Sequence, residues 1–242
     1  MSKETHRIAA ITGAAGALGS AVARTLVDRG YKVALFDTEQ TKERLAALAS
    51  SLGADKAFAY ASDFASDVAW STALDATKAA LGGSPTHAAL VAGGWSGGTA
   101  VHETKDETSY QQMISMNVDS AYRALRALLP AMVAAHDGSI VVVGSRAVER
   151  PWTSTGSAAY AASKAAVVTI AQTIAQEVLE SGVRINAILP STMDTPANRA
   201  GMPDADHSKW VSLSSAAGVI AFLLSDEARD VSGAAIPVYG RA

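Results

Sequence analysis

The chain has 242 residues, of which 49% are hydrophobic and 18% charged, with a formal net charge of −3 and no cysteine. Such a chain can bury a large core, and it cannot form disulfides or thiolate sites. The lack of a Lys/Arg cluster argues against a nucleic-acid partner, because binding to phosphates requires cationic side chains. There is no apolar stretch of about 18 residues and no signal-peptide pattern, so we expect a cytoplasmic protein without a membrane partner.

Apolar β-branched runs alternate with alanine-rich helical stretches along the chain. Seven runs are predicted as strands: 7–12, 31–36, 56–61, 87–93, 139–144, 183–189 and 234–239. Three intervening segments have helical length and period: 16–29, 106–133 and 157–181. Strands that are apolar throughout are buried on both faces, which predicts a parallel sheet with helices on either side. We see no linker or repeat, so we predict a single α/β domain over residues 1–242, as an open doubly wound sheet or a closed barrel.

The first predicted strand runs into a glycine-rich turn, TGAAGALG, and then into a helix. A dinucleotide-binding turn needs glycine for the tight bend, for close approach to the pyrophosphate and for packing of helix on strand. Asp37 follows the second strand, and a carboxylate there binds the adenosine ribose and repels a 2′-phosphate. A helix cap would explain Asp37 alone, but the combination favours a Rossmann-type sheet and NAD(H) over NADP(H). The predicted cofactor residues of the turn are Gly13, Gly16, Leu18 and Gly19.

Tyr160 and Lys164 lie four residues apart in the alanine-rich segment GSAAYAASKAAV, so both side chains project from one face of the predicted helix. The pattern by itself also fits an exposed pair without chemistry. Its position favours a catalytic role, because it follows a fifth strand that ends near Ser145 in a chain with a dinucleotide turn.

Ordered motifs over essentially the whole chain resemble the short-chain dehydrogenase/reductase family: TGAAGALG, MISMNVDSAYR, Ser145, YAASK, INAILP and LLSDEARDVSGAAIPVYG. The resemblance implies a seven-stranded parallel sheet of order 3-2-1-4-5-6-7, and a homodimer or homotetramer. It also implies that Tyr160 exchanges a proton with the substrate oxygen, while Lys164 favours the phenolate and holds the nicotinamide ribose. Ser145 would bind the substrate oxygen and Asn117 would hold a water in a proton relay. The interval from Ser145 to Tyr160 is longer than is usual in the family, so Ser154 and Ser157 are alternatives.

Further cofactor contacts are predicted where later strands end. Asp63 closes the third predicted strand and fits either a contact with the adenine edge or a helix cap. Thr195 matches the family threonine that contacts the nicotinamide carboxamide. The resemblance adds these residues to the cofactor set: Ala92, Gly93, Gly94, Tyr160, Lys164, Pro190 and Thr192.

The fourth predicted strand ends in VAGGWSGG, where most of the family has Asn-Asn-Ala-Gly. Glycine lets the backbone pass close to a bound cofactor. Residues 91–98 and 189–210 resemble quinonoid dihydropteridine reductase, an NADH-using branch that regenerates tetrahydropterin. Shared ancestry with a changed substrate would explain that likeness as well. The substrate loop is expected at about residues 190–212.

Bulky and charged side chains fall on segments that should surround the substrate. Aromatic walls suit a flat or aromatic ring, although large side chains also close lids. Trp70 lies on a helix away from the site and is expected to pack in the core. The predicted pocket residues are Trp95, Arg146, Trp152 and Trp210. No metal is expected, since these histidines lack ligand spacing and should be solvated or in the core: His6, His87, His102, His136 and His207.

The sequence therefore predicts an NAD(H)-dependent oxidoreductase that interconverts a carbonyl, or a C=N group, and its reduced form. One alternative is dihydropteridine reductase itself. A second alternative, from another class, is a sensor or scaffold that binds NAD(H) without turnover. Such proteins typically lose the tyrosine or the lysine of the catalytic pair, and this chain has both.

Overall fold

A computed structural model describes residues 7–241. Its strands form one seven-stranded sheet of order β3-β2-β1-β4-β5-β6-β7, in which every neighbouring pair is parallel. The order confirms the predicted Rossmann-type doubly wound architecture and excludes the barrel. The strands are β1 (Ile8–Thr12), β2 (Lys32–Asp37), β3 (Ala57–Ala61), β4 (His87–Leu90), β5 (Gly138–Val143), β6 (Val183–Pro190) and β7 (Ala235–Val238).

Helices cover both faces of this sheet, and its central strands are therefore buried along their length. One apolar cluster lies under α1, α2 and α8, and a second lies under α3, α5 and α6. The α-helices of the described residues are α1 (Ala17–Asp28), α2 (Lys42–Leu52), α3 (Asp67–Leu81), α4 (Thr108–Met113), α5 (Ser120–Ala135), α6 (Ala158–Glu177), α7 (Pro196–Gly201) and α8 (Leu213–Leu224). No helix in this part of the chain is long and apolar enough to cross a membrane.

Two predicted elements differ from the structure. The fourth strand was expected over residues 87–93, but β4 ends at Leu90 because the backbone N–H groups of Ala92 and Gly94 bond to the side chains of Thr12 and Asn117 and not to a neighbouring strand. The helix expected over 106–133 is divided into α4 and α5 by a π-helical turn, Ile114–Asp119. The extra residue of a π-turn displaces the side chains that follow it, and such turns often mark functional sites.

The buried aromatic residues and histidine occupy the positions expected for core residues. Trp70 is buried and its ring meets Phe36 edge-on at 5.8 Å, which confirms its packing role. His87 is also buried and stacks edge-on against Tyr31 at 5.2 Å. His6 lies outside the described residues. Within residues 7–241, no three acidic or histidine side chains are grouped closely enough to hold a metal ion.

His87 lies at the amino-terminal edge of the sheet, among charged groups. Its Nδ1 is 2.8 Å from the hydroxyl of Thr86. Burial lowers the pKa of His87 to about 4, and the positive charges of Arg7 and Arg184 act in the same direction. Asp226 has the opposite effect on this pKa but does not compensate for burial. The histidine is therefore neutral in the folded protein at neutral pH.

Candidate active site

The glycine-rich turn leaves β1 at Thr12 and enters α1 at the carboxyl edge of the sheet. Gly19 packs directly on the turn, because a Cβ at this position would lie 2.2 Å from the carbonyl oxygen of Gly13. Gly16 precedes α1, and no side chain caps the helix there. The N–H groups of the first helical turn therefore have no side-chain cap, which suits binding of the pyrophosphate of a dinucleotide. Leu18 is buried in the core, so only its backbone can face such a ligand.

The Asp37 carboxylate closes over this turn from the end of β2. Its Oδ2 accepts a hydrogen bond from the N–H of Ala15 at 2.9 Å, and its Oδ1 accepts one from the N–H of Thr38 at 2.8 Å. The structure thus brings together the two motifs that the sequence paired. Carboxylate oxygens have further lone pairs, so these bonds leave capacity to accept from ribose hydroxyls.

Asp63 lies beyond the end of β3 and is exposed. Its Oδ1 accepts a hydrogen bond from the N–H of Ala65 at 3.1 Å, which closes a local turn. The helix-cap interpretation of Asp63 is wrong, because Ser66 caps α3 by accepting from the N–H of Ala69. The predicted contact with the adenine edge remains a prediction.

Lys164 and Tyr160 project from the inner face of α6. The Lys164 side chain is buried, and its Nζ donates a hydrogen bond to the carbonyl of Val143, at the end of β5, at 2.9 Å. Burial lowers the pKa of Lys164 to about 8. Tyr160 is half-buried, and burial raises its pKa, while a hydrogen bond with the side chain of Ser145 acts in the opposite direction.

The structure puts Ser145 beside the Tyr160 hydroxyl despite the long interval between them. Ser145 is buried, and its Oγ accepts a hydrogen bond from the N–H of Ala147 at 3.2 Å. The extra length of the segment is taken up by two short 3₁₀ turns, Arg146–Val148 and Pro151–Ser154. The alternative Ser157 is instead packed against Gly97.

Asn117 is carried into the site by the π-turn between α4 and α5, and it is buried. Its Oδ1 accepts from the N–H of Gly94 at 2.9 Å, and its Nδ2 donates to the carbonyl of Gly94 at 3.1 Å. The same Nδ2 donates to Ser163 Oγ at 2.9 Å, and Ser163 Oγ donates to the carbonyl of Tyr160 at 2.8 Å. The amide therefore joins the loop after β4 to α6, and its predicted role in a water relay remains a prediction.

Sequence reasoning missed Ser163 as a part of this network. The available signal was a buried polar residue on an alanine-rich helix, three positions after Tyr160 and adjacent to Lys164. At that spacing a side chain shares the face of the helix that carries the site.

The glycines after β4 were predicted to make room for a cofactor, but the atoms nearest to them belong to side chains of the protein. A Cβ on Gly93 would lie 2.5 Å from Asn117 Oδ1 and 3.2 Å from Lys164 Nζ. A Cβ on Gly94 would meet the Met116 side chain at 2.4 Å. Ala92 joins the same turn, since its N–H donates to Thr12 Oγ1 at 3.1 Å. The loop thus passes against protein side chains of the site.

The loop after β6 folds back on itself. Pro190 is buried at the strand end, and the carbonyl of Thr192 accepts from the N–H of Val211 at 2.9 Å. Thr195 caps α7, because its hydroxyl accepts from the N–H of Asn198 at 3.1 Å. Its predicted carboxamide contact remains a prediction.

The four predicted pocket side chains lie on three separate loops. Trp95 is 63% exposed and Trp152 is 72% exposed. Arg146 is half-buried, and its positive charge acts on the hydroxyl of Tyr239. The Trp210 ring packs against His207 within its own loop, with centroids 4.3 Å apart.

Comparison with known proteins agrees with this geometry. The model of the short chain dehydrogenase family matches residues 7–206. The chain belongs to that family. As a short-chain dehydrogenase it is an NAD(P)-dependent oxidoreductase, and the family predicted from the sequence is confirmed.

Relatives of this short-chain dehydrogenase have several substrates in their names. The 2,3-dihydro-2,3-dihydroxybenzoate dehydrogenase of Bacillus subtilis is 36% identical over 78% of this chain and 70% of its own. The 2-(S)-hydroxypropyl-CoM dehydrogenase 3 of Xanthobacter autotrophicus is 32% identical over 97% of this chain and 96% of its own. The 3-ketoacyl-(acyl-carrier-protein) reductase of Brucella melitensis, in complex with NADH, superposes with a TM-score of 0.87 at 25% identity over 97% of each chain. The local likeness to dihydropteridine reductase remains a prediction.

Proposed function

We propose that this chain is an NAD(H)-dependent oxidoreductase that transfers hydride between the nicotinamide and a carbonyl/alcohol pair, or a C=N group. The observation that carries the proposal is the buried Lys164, held by the carbonyl of Val143 one helical turn after Tyr160 on α6, with Ser145 close enough to Tyr160 to lower its pKa. Relatives named as dehydrogenases of hydroxy compounds and as a ketoacyl reductase support this reaction class.

The residues of the chain fit a dinucleotide. The uncapped start of α1 would bind the pyrophosphate, and Asp37 would accept hydrogen bonds from the adenosine ribose. The negative charge of Asp37 would repel a 2′-phosphate, which supports NAD(H) over NADP(H). When bound, the nicotinamide supplies or accepts the hydride.

In the reductive direction, Tyr160 donates its phenolic proton to the substrate oxygen. Burial raises the pKa of Tyr160 and so keeps the donor protonated. The Lys164 ammonium stabilises the phenolate that remains, since opposite charges attract strongly in a buried site. Ser145 donates a hydrogen bond to the substrate oxygen, and Asn117 holds the loop after β4 against Lys164 and the helix of Tyr160. Oxidation of an alcohol uses the same groups in reverse.

Dihydropteridine reductase remains the second candidate. The observation in its favour is the exposed indole of Trp95 in the segment VAGGWSGG, the segment that resembles that branch. A sensor without turnover is less well supported, because both Tyr160 and Lys164 are present. We also propose a cytoplasmic homodimer or homotetramer, as the family resemblance implies, which sedimentation of the purified protein would test.

The proposal is tested by NADH oxidation with a panel of ketones, aldehydes, imines and quinonoid dihydropterin. Tyr160→Phe should lower kcat by a factor of about 10² to 10⁴, the usual contribution of a general acid, and keep the Kd for NADH. Full activity of Tyr160→Phe would refute the mechanism. Turnover of the dihydropterin alone would establish the second candidate, and NADH binding without any turnover would establish the sensor.

A further inference from the structure

Trp95 is a large apolar side chain that is 63% exposed, although the backbone on both sides of it is held in place. Before it, Gly94 is bound through its N–H and its carbonyl to the amide of Asn117. After it, Ser96 Oγ lies 3.1 Å from Ser109 Oγ, and the N–H of Gly98 donates to the carbonyl of Gly156 at 2.9 Å. An aromatic ring presented on a rigid backbone loses little conformational entropy when a ligand binds.

Gly97 lies between the indole of Trp95 and Ser157, which ends the loop before α6. A Cβ at Gly97 would lie 2.1 Å from Ser157 Oγ, 2.8 Å from Ser157 Cβ and 3.0 Å from Trp95 Cζ2. Ser157 is 7% exposed and directly precedes α6, so its side chain has little room to withdraw. The missing side chain at position 97 therefore lets Ser157 and the indole approach the same stretch of backbone.

The loop that carries Trp95 and Gly97 passes next to the candidate catalytic groups. The Cβ position of Gly93 is 3.2 Å from Lys164 Nζ. Two residues of extended chain span at most about 7 Å, so the Cα of Trp95 lies within that distance of the Cα of Gly93. The carbonyl of Ser157 accepts from the N–H of Ala161 at 3.0 Å, so Ser157 lies within one helical turn of Tyr160. The indole, which meets Gly97 together with Ser157, therefore lies close to the start of the helix that carries Tyr160.

We infer that Trp95 is a stacking platform for the planar ring of the substrate, and that Gly97 and Ser157 are positioning residues that set the orientation of the indole. The inference rests on the proposed function and narrows its substrate class to aromatic or conjugated ring carbonyls and the corresponding alcohols. Stacking of two rings adds binding energy beyond the burial of area alone, and an aliphatic chain of similar size lacks that addition.

The test compares an aromatic with an aliphatic ketone, 2-acetonaphthone and 2-octanone, both with NADH. Trp95→Ala should raise KM for the aromatic ketone about tenfold with little change in kcat, and should affect the aliphatic ketone much less. Trp95→Phe keeps an aromatic face and should restore most of the affinity. An equal effect of Trp95→Ala on both ketones, or no effect on either, would overturn the platform.

The positioning residues are tested through rescue. Gly97→Ala should reproduce the selective loss with the aromatic ketone and change the tryptophan emission spectrum. The double variant Gly97→Ala/Ser157→Gly removes Oγ and Cβ of Ser157, the two atoms nearest to the added Cβ, and should restore selectivity and emission. Gly218→Ala in α8 is the matched control, because a Cβ there meets no atom within 4 Å. A harmless Gly97→Ala, or a loss that Ser157→Gly does not restore, would contradict the positioning role.

Failure of the platform and failure of the proposed function are separable. If the wild-type protein oxidises NADH with neither ketone, the proposed function fails for this class of substrates. Calorimetric titration with 2-naphthol, with and without NAD⁺, then measures ring binding directly. Weaker binding to Trp95→Ala than to wild type supports the platform, and equal binding refutes it.

Discussion

The ammonium of Lys164 donates a 2.9 Å hydrogen bond to the carbonyl of Val143, which joins the middle of the site to the end of β5. The side chain is buried, and burial lowers its pKa to about 8. The site therefore carries a charge that the fold itself disfavours. Such a charge is expected to cost stability and to serve function instead.

Lys164→Met should abolish turnover and change how stability depends on pH. Below pH 8 the folded protein carries the buried charge at a cost on the order of 3 kcal/mol relative to the unfolded chain, whose lysine has the ordinary pKa of 10.5. That cost disappears as pH rises from about 8 to 10.5, so wild type should gain stability relative to Lys164→Met over this window. Urea unfolding at pH 7 to 10 measures the difference.

Lys164→Met removes the buried charge, but it also loses the hydrogen bond to Val143, which costs the variant about 1–3 kcal/mol at every pH. The decisive quantity is therefore how the stability difference between wild type and variant changes with pH. Lys78→Met, on the exposed face of α3, is the control for loss of a lysine and should keep full activity. Parallel curves for wild type and Lys164→Met would contradict the prediction.

Ser145→Ala should move the pH profile of alcohol oxidation to higher pH. The Ser145 hydrogen bond lowers the pKa of Tyr160, against the larger effect of burial. Without it the pKa of Tyr160 rises, and a higher pH is needed to form the phenolate that accepts the proton. The measurement is kcat/KM against pH for wild type and variant. A profile that keeps its midpoint while falling in height would assign Ser145 to substrate binding alone.

Asp37→Asn should relax cofactor choice toward NADP(H). The amide keeps the shape of the side chain and an oxygen that can accept from the N–H of Ala15, but it removes the charge that would repel a 2′-phosphate. We expect the ratio of kcat/KM for NADPH to that for NADH to rise at least tenfold, which corresponds to about 1.4 kcal/mol. If wild type already prefers NADPH, the role given to Asp37 is wrong.

His87→Phe should reduce the amount of folding stability that the protein loses in mild acid. The pKa of buried His87 is about 4, below the ordinary 6.5, so the unfolded chain takes up a proton that the folded protein does not. The contribution of neutral His87 to the free energy of unfolding is fully present above pH 6.5 and is lost as the pH falls toward 4. Relative to the variant, wild type should lose on the order of 3 kcal/mol across this window.

Phenylalanine keeps a ring against Tyr31, and urea unfolding from pH 7 to 4.5 measures the change. Arg7, Arg184 and Asp226 also affect the pKa of His87. The control variant is His102→Phe, which removes an exposed histidine and should leave the pH dependence of stability unchanged. A wild-type curve that runs parallel to that of His87→Phe would show that other groups govern the acid sensitivity.

Several parts of the site were predictable because they depend on short stretches of chain. The spacing of Tyr160 and Lys164 puts them on one face of any helix, and the structure has that helix. The glycine turn and Asp37 were also recognisable, since each follows a strand and parallel strands end at one edge of the sheet. The end of β4 was not predictable, because Gly93 and Gly94 turn toward Asn117, which lies 23 residues after Gly94.

The sequence by itself determined the family and the local turn, helix and strand motifs, because these depend on the spacing of neighbouring residues. The sheet order was implied by the resemblance to the family, since residue spacing alone also allowed a barrel. Only the tertiary structure decided which distant side chains meet. It selected Ser145 over Ser157 as the neighbour of Tyr160, and it seated Gly97 on Ser157. Those contacts join segments whose separation is set by how whole helices and loops pack, and no short window of sequence contains that information.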